Sequence, residues 1–464
     1  MPQQLPAALL ASLQTVKGFD EAAFVQVHGS GEQVTSIRFN PAKTNNAASL
    51  TGNLQLEKIP WSTEGYYLTE RPSFTSDPLF HAGAYYVQEA SSMFLEEAIK
   101  QTCDLTQPLR VLDLCAAPGG KSTLIQSIIS ADSLLVSNEV IKTRVNILAE
   151  NITKWGAANV IVTNNDPKDF QRLEDYFDLI VVDAPCSGSG LFRKDPAAID
   201  EWSPGAVALC SQRQERILAD ILPCLKPGGI LIYSTCSYSA DEDEQIADWL
   251  VSNYPVSGIR LQLKDDWHII ETNSPVNNAA GYRFYPDKLK GEGFFIAAFK
   301  KQDASVVPVL KKNFQSKARD KAGLLSKADI EMISPYFKDI AALSFFKWQD
   351  EILAIPAALA DELLLLQSIL YLKKAAVKTG SIIRNELIPD HEFALSALVA
   401  DTVPAIHVDK ETALQYLRRQ DIKTETGLKG WALIKFENAT LGWVKILPNR
   451  INNYYPKGWR ILNK

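Results

Sequence analysis

Between residues 77 and 300 short apolar runs alternate with stretches of helical period. The runs are "RVLDLC" (110–115), "LLVSNEV" (134–140), "NVIVTNND" (159–166), "FDLIVVDAP" (177–185), "GILIYSTC" (229–236) and "GFFIAAFKK" (293–301). Such alternation predicts an α/β unit whose mostly parallel sheet is covered on both faces. Between the second and third runs, Ile141, Val145, Leu148, Ile152 and Trp155 recur at helical spacing. After "STCSYS" the acidic "ADEDE" suits the start of another helix, where negative charge is favourable. No internal repeat stands out.

The flanks read differently. Residues 1–76 form a separate α+β piece containing "SIRFNPAKT". The basic stretch "KKQDASVVPVLKKNFQSKARDK" (300–321) leads into residues 302–378, a basic linker and then a small α-rich segment. There "AIPAALADELLLLQSILYL" contains Asp361 and Glu362, and reads as a packed helix, not a membrane span. Residues 379–464 carry strand-like runs such as "GWALIKF" and "TLGWVKIL", and end in "NRINNYYPKGWRIL".

Composition adds a few constraints. With 464 residues, 46% hydrophobic and 22% charged, the chain has room for several domains of ordinary globular make-up. No basic leader precedes the first apolar stretch, so no secretory signal is expected. Six cysteines (103, 115, 186, 210, 224 and 236) are too few and scattered for a disulfide framework, and no CxxC pair suggests zinc. A reducing cytoplasm, where thiols stay free to react, is the natural setting. Net charge is −6, yet from Lys373 onward 15 Lys/Arg stand against 9 Asp/Glu, leaving −12 for the rest. A basic end can meet a polyanion despite an acidic total, although charge alone fits a solvated surface equally well.

The candidate chemistry gathers at strand ends, where open α/β sheets hold their ligands. "DAPCSGSG" puts Cys186 just past one apolar run, and "LIYSTCSY" puts Cys236 just past another. In "VLDLCAAPGGKSTL", Ala116, Ala117, Gly119 and Gly120 let a ligand approach the backbone, and a helix start follows. The loop fits neither GxGxxG nor the P-loop, because Cys115 stands where the latter needs its first glycine. Glu139 ends the second strand, where a carboxylate can hold a ribose diol; Asp166 ends the third, within reach of an adenine amino group. Singly each could be a helix cap; jointly they suggest an adenosine-bearing ligand. Lys121 and Lys194 are the candidate cations for stabilising a thiolate.

"DLCAAPGGKS", "DAPCSGSG" with "RKDP", and "YSTCS" together resemble the Sun-type (NOL/NOP/Sun) RNA cytosine-5 methyltransferases. "SIRFN" and "YYVQEASSM" extend the likeness upstream, and "GWVKILPNRINNYYPKGWR" resembles the PUA-like RNA-binding end of the branch containing ribosomal small-subunit methyltransferase F. The resemblance implies a class I S-adenosylmethionine-dependent methyltransferase domain over 77–301, with a Rossmann-like seven-strand sheet. An N-terminal RNA-binding region (1–76) and a PUA-like domain (379–464) would flank it. It implies Cys236 as the nucleophile that adds to carbon 6 of cytosine, making carbon 5 reactive. Cys186 would aid release, as a base or by assisting one, and Asp183 would hydrogen-bond the cytosine amidine edge. The cofactor would be held by Cys115, Ala116, Ala117, Pro118, Gly119, Gly120 and Lys121, with Glu139, Arg144, Asp166 and Asp183. Pro167 departs from the family, whose close members carry glycine there.

The expected activity is methylation of carbon 5 of cytosine in small-subunit (16S) ribosomal RNA by a cytoplasmic monomer, without membrane or metal. Transfer RNA is the alternative target, and an inactive RNA-binding assembly factor the alternative class. A DNA cytosine-5 enzyme would lack the second "TCS" thiol, and an amino-group methyltransferase would carry "[ND]PP[YF]" where "DAPC" stands. In the C-terminal tail Tyr454, Tyr455 and Trp459 alternate with Arg450, Lys457 and Arg460, a pattern able to stack on bases and meet phosphates. Arg38 could be a phosphate contact or a surface residue.

Overall fold

A computed structural model describes residues 4–44, 56–302, 323–348, 350–422 and 426–462; most of the basic linker, 303–322, lies outside the described residues. The central sheet is built from β1 (Arg110–Asp113), β2 (Leu134–Asn138), β3 (Val160–Thr163), β4 (Phe177–Asp183), β5 (Leu225–Thr235), β6 (Ala280–Phe284) and β7 (Phe294–Lys301). Their order is β3-β2-β1-β4-β5-β7-β6. The first five run parallel and β7 lies antiparallel to both neighbours. Three further strands join this sheet: Leu372–Lys374 beside β3, Ile270–Asn273 beside β6, and Val256–Ile259 beside β7.

The apolar runs make these strands because both faces are covered. In β4, Ile180 and Val182 point into one hydrophobic cluster and Leu179 and Val181 into another; all four are fully buried. Each such side chain contributes about 1.5–3 kcal/mol of burial. Helices α1 (Gly120–Ile128), α2 (Lys142–Trp155), α3 (Pro204–Ile221) and α4 (Glu244–Asn253) fill the crossovers. Val145, Leu148, Ile152 and Trp155 form the buried stripe of α2; Ile141 instead precedes the helix and is exposed. The helix ends at Gly156, whose φ of 87° suits a residue without a Cβ. The carbonyl of Leu395 packs so closely there that an added Cβ would lie 2.2 Å from it.

Two expectations about the flanks need correction. Tyr85–Val87, counted above with the central unit, is an edge strand of the N-terminal sheet, pairing with Thr35–Phe39. That sheet therefore extends past residue 76. The segment before residue 378 is not α-rich: Gly323–Leu324, Leu343–Trp348, Glu351–Pro356, Val377–Ile383 and Glu386–Pro389 form a five-stranded sheet. The boundary at 378/379 falls inside one of its strands. Apolar runs such as "LSFF" and "EILAI" are ambiguous by period, and long-range pairing decides them as strands. Helix Ala360–Ile369 lies against this sheet's apolar side and the central sheet, burying Leu363, Leu364 and Leu366.

The last unit is a four-stranded sheet of Ala405–His407, Gly430–Phe436, Ala439–Leu447 and Arg450–Asn453. Its Ile434, Leu441, Val444 and Tyr455 share one core with Ile37, Phe39 and Tyr85 of the N-terminal sheet. Tyr455 is thus a core residue, whereas Tyr454 stays exposed against Trp431. No helix among the described residues is long and apolar enough to cross a membrane.

Candidate active site

Because β4 and β5 are parallel neighbours with Asp183 opposite Ser234, the loops leaving their carboxyl ends start at the same level. Those loops carry Cys186 and Cys236. The two sulfurs lie 3.0 Å apart, and both cysteines are free and part-buried. The loops are stitched together: the Gly190 amide donates to the Cys236 carbonyl at 2.7 Å. The Tyr238 amide donates to Ser189 Oγ at 2.9 Å.

Asp183, the last residue of β4, accepts from Ser234 Oγ at 2.8 Å through one oxygen and pairs with Lys121 Nζ at 2.8 Å through the other. Lys121 sits on the first turn of α1, its ammonium 5.1 Å from the centre of the Phe294 ring. Burial disfavours its charge, but Asp183, Asp113 and Cys236 outweigh that and raise its pKa. Lys121 is therefore the cation beside the thiols; Lys194 is exposed and faces Glu292. The hydrogen bond with Cys236, and burial after it, push the Cys186 thiol well above the ordinary cysteine range. That shift favours the protonated form of Cys186, which can act as donor in the contact between the two sulfurs.

On the other side of β4, Leu114 to Gly119 makes the turn between β1 and α1. Gly119 has φ 116°, a region closed to most side chains, and its neighbours Ala116 and Ala117 are small. Arg144 Nη2 donates to the Ala117 carbonyl at 2.6 Å, and Asn151 Nδ2 to the Pro118 carbonyl at 2.8 Å. Arg144 also faces Glu139 at 3.5 Å. Glu139 ends β2 nearly buried, followed by Val140 and Ile141, which expose 54% and 47% of their surface. A carboxylate beside such an apolar ledge matches a ribose diol next to an adenine face. Under the turn, Asp113 accepts from Ser122 Oγ at 2.6 Å while its Oδ1 is buried without a partner. Burial raises this carboxyl to about 7. The small turn, the carboxylate and the ledge together fit an adenosine-bearing sulfonium.

Asp166 lies at the end of β3 and caps the 3₁₀ turn Pro167–Arg172, accepting from the Lys168 amide at 3.2 Å. Pro167 takes the first position of that turn, where its missing N–H costs nothing. Cys115 packs against the core, and burial pushes its thiol up. Arg38 is not a phosphate contact. Buried to 1%, it donates to Gln88 Oε1 at 2.9 Å and Thr123 Oγ1 at 2.7 Å, tying the N-terminal sheet to α1.

Sequence reasoning missed the acids behind the thiols. "ADEDE" does lead into a helix, at Glu244, but its Glu242, Asp243 and Glu244 are all buried. Asp243 and Glu244 pair with the buried Arg283 at 3.1 and 2.5 Å. Glu242 reaches Ser187 and Ser237, the residues following the two cysteines. Four acids within eight residues of Cys236, Asp241 to Glu244, ahead of an apolar helix, were the available signal.

Family models match along most of the chain: "16S rRNA methyltransferase RsmB/F" over 101–300, "N-terminal domain of 16S rRNA methyltransferase RsmF" over 5–90, and "Methyltransferase RsmF PUA domain" over 403–461. The chain is 30% identical over 437 residues to ribosomal RNA small subunit methyltransferase F of Pectobacterium carotovorum subsp. carotovorum, covering 91% of this chain and 88% of that one. It is also 30% identical to the same-named protein of Serratia proteamaculans, covering 91% and 89%. Among solved structures it resembles a methyltransferase homolog protein from Pyrococcus horikoshii (TM-score 0.51, 30% identity, 64% of this chain and 100% of that one). NSun6 from Pyrococcus horikoshii with SFG shares the fold (TM-score 0.54, 19% identity, 66% and 100%).

Proposed function

The chain belongs to the 16S rRNA methyltransferase RsmB/F family, and from that premise we propose that it methylates carbon 5 of a cytosine in 16S ribosomal RNA through a transient bond to Cys236. It is an S-adenosylmethionine-dependent enzyme. The observation that carries the proposal is the pair of free thiols 3.0 Å apart at adjacent strand ends, flanked by the Lys121–Asp183 ion pair.

The Cys236 sulfur, aided by the Lys121 ammonium and the Cys186 S–H donor, adds to carbon 6 of a cytosine turned out of its helix. Asp183, oriented by Ser234 and Lys121, accepts from the cytosine amino group and so orients the ring for attack, while the Lys121 ammonium beside it offsets the negative charge that addition pushes into the ring. The segment Cys115 to Lys121, with Glu139, Arg144 and Asp166, would hold the cofactor. When bound, S-adenosylmethionine supplies the methyl group that carbon 5 takes up. A water acting as base takes the carbon 5 proton, the C–H electron pair re-forms the double bond between carbons 5 and 6, and Cys236 leaves as a thiolate. Cys186 donates its hydrogen bond to that departing sulfur, which is how it aids release.

Replacing Cys236 by Ala should abolish methylation of small-subunit RNA, read by bisulfite sequencing of RNA from cells carrying either form. Undiminished conversion at the target cytosine would remove Cys236 as nucleophile.

A further inference from the structure

Glu242 is fully buried, six residues beyond Cys236, at the start of the segment that leads into α4. Its backbone is fixed by Tyr233, whose hydroxyl donates to the Glu242 carbonyl at 2.6 Å. Four donors converge on its carboxylate. Ser187 gives its amide at 2.8 Å and its hydroxyl at 2.5 Å; Ser237 gives its hydroxyl at 2.6 Å; Gln214 gives Nε2 at 3.2 Å. Four donors and no acceptor is the pattern an ionised carboxylate satisfies. Ser187 follows Cys186, and Ser237 follows Cys236. Gln214 also donates to the Pro185 carbonyl at 3.1 Å, holding the residue before Cys186. One side chain therefore grips both cysteine loops.

We propose that Glu242 is a positioning residue for methyl transfer, a clasp that sets the spacing of the two sulfurs and holds the proton of the pair on Cys186. This rests on the assignment of the thiols above. The Gly190–Cys236 and Tyr238–Ser189 hydrogen bonds also join the two loops, but Glu242 is the side chain that holds the residue directly after each cysteine. A fixed negative charge beside Cys186 also opposes its ionisation, in the same direction as its hydrogen bond to Cys236 and its burial.

Glu242→Gln is nearly isosteric, and its amide can still accept from the Ser187 and Gln214 N–H groups while donating to the serine hydroxyls, which can rotate. The fold should survive, and an unchanged circular dichroism spectrum will establish that. Two readouts are then taken on the full chain. In a Cys236→Ala background, the pH midpoint for alkylation of Cys186 by iodoacetamide should fall by about one unit when Glu242→Gln is added. In the otherwise intact enzyme, Glu242→Gln should lower kcat about tenfold or more, with the KM for RNA little changed. A Glu242→Asp variant, one methylene short of spanning both serines, should restore the alkylation midpoint but not kcat. An unmoved midpoint together with an unchanged kcat would overturn the clasp. Because alkylation needs no RNA, that failure is distinct from failure of the nucleophile assignment, which shows as methylation by Cys236→Ala.

Discussion

Replacing Cys186 by Ala deletes the donor 3.0 Å from the Cys236 sulfur and leaves the rest of the site in place. Release is where this matters most. While Cys236 is bonded to the base its sulfur carries no charge; as the carbon–sulfur bond breaks, charge builds on it. A hydrogen bond to a charged group contributes about 1.5–3 kcal/mol, against about 0.5–1.5 kcal/mol to a neutral one. Because the neutral adduct loses its weaker bond too, only the difference of about 1–1.5 kcal/mol reaches the barrier, and release should slow by roughly 5- to 13-fold. Attack and methyl uptake, which retain Lys121 and Asp183, should slow less. The variant should accumulate a protein–RNA adduct that survives denaturation, seen as a retarded band carrying label from methyl-labelled cofactor. Cys186→Ser keeps an O–H donor and should show less adduct at the same time point. Cys186→Ala/Cys236→Ala should show none. If Cys186→Ala turns over at the wild-type rate without an adduct, the sulfur-to-sulfur hydrogen bond has no part in release.

Two further predictions follow from the same geometry. In Gly190→Ala the new Cβ would lie 2.5 Å from the Gly293 carbonyl and 2.6 Å from the Cys236 carbonyl, both backbone atoms; stability should fall by about 1–3 kcal/mol in urea titration, with methylation lost at temperatures where the chain remains folded. Wild-type urea midpoints would refute the close packing of the two loops. Burial raises the Asp113 carboxyl from 3.8 to about 7, so the folded state binds the extra proton between those values. The stabilisation this gives is complete below pH 4 and lost as pH rises to 7. Asp113→Asn should abolish that slope and gain on wild type across the window, by at most about 4 kcal/mol; parallel stability curves from pH 4 to 8 would count against a buried, neutral Asp113.

What could be read from sequence was what depends on short-range order. Period and run length located β1 to β5 and β7 within a few residues, because a strand buried on both faces must be apolar throughout. The same reasoning put Cys186, Cys236 and Glu139 at the carboxyl edge of the sheet, since a residue just past a buried parallel strand lies there whatever its neighbours are; Asp183 was named by the family resemblance. Lys121 and Lys194 were equivalent on that basis. Choosing between them takes the sheet order, which puts the β1 turn, and not the loop after Cys186, beside Asp183. Arg38 shows the same limit more sharply. In a five-residue strand its charge argues for solvent, yet the strand lies between two others with α1 across its face, and the guanidinium is spent on Gln88 and Thr123. Glu242 is the third case. A run of acids ahead of a helix has a sufficient local explanation in the helix dipole, so nothing local asks for another. Its partners Ser187 and Gln214 come from the neighbouring β4–β5 connection, 55 and 28 residues away in the chain. The thiols could be found from their own surroundings; the group that sets their spacing belongs to a contact between loops, and no single stretch of sequence contains it.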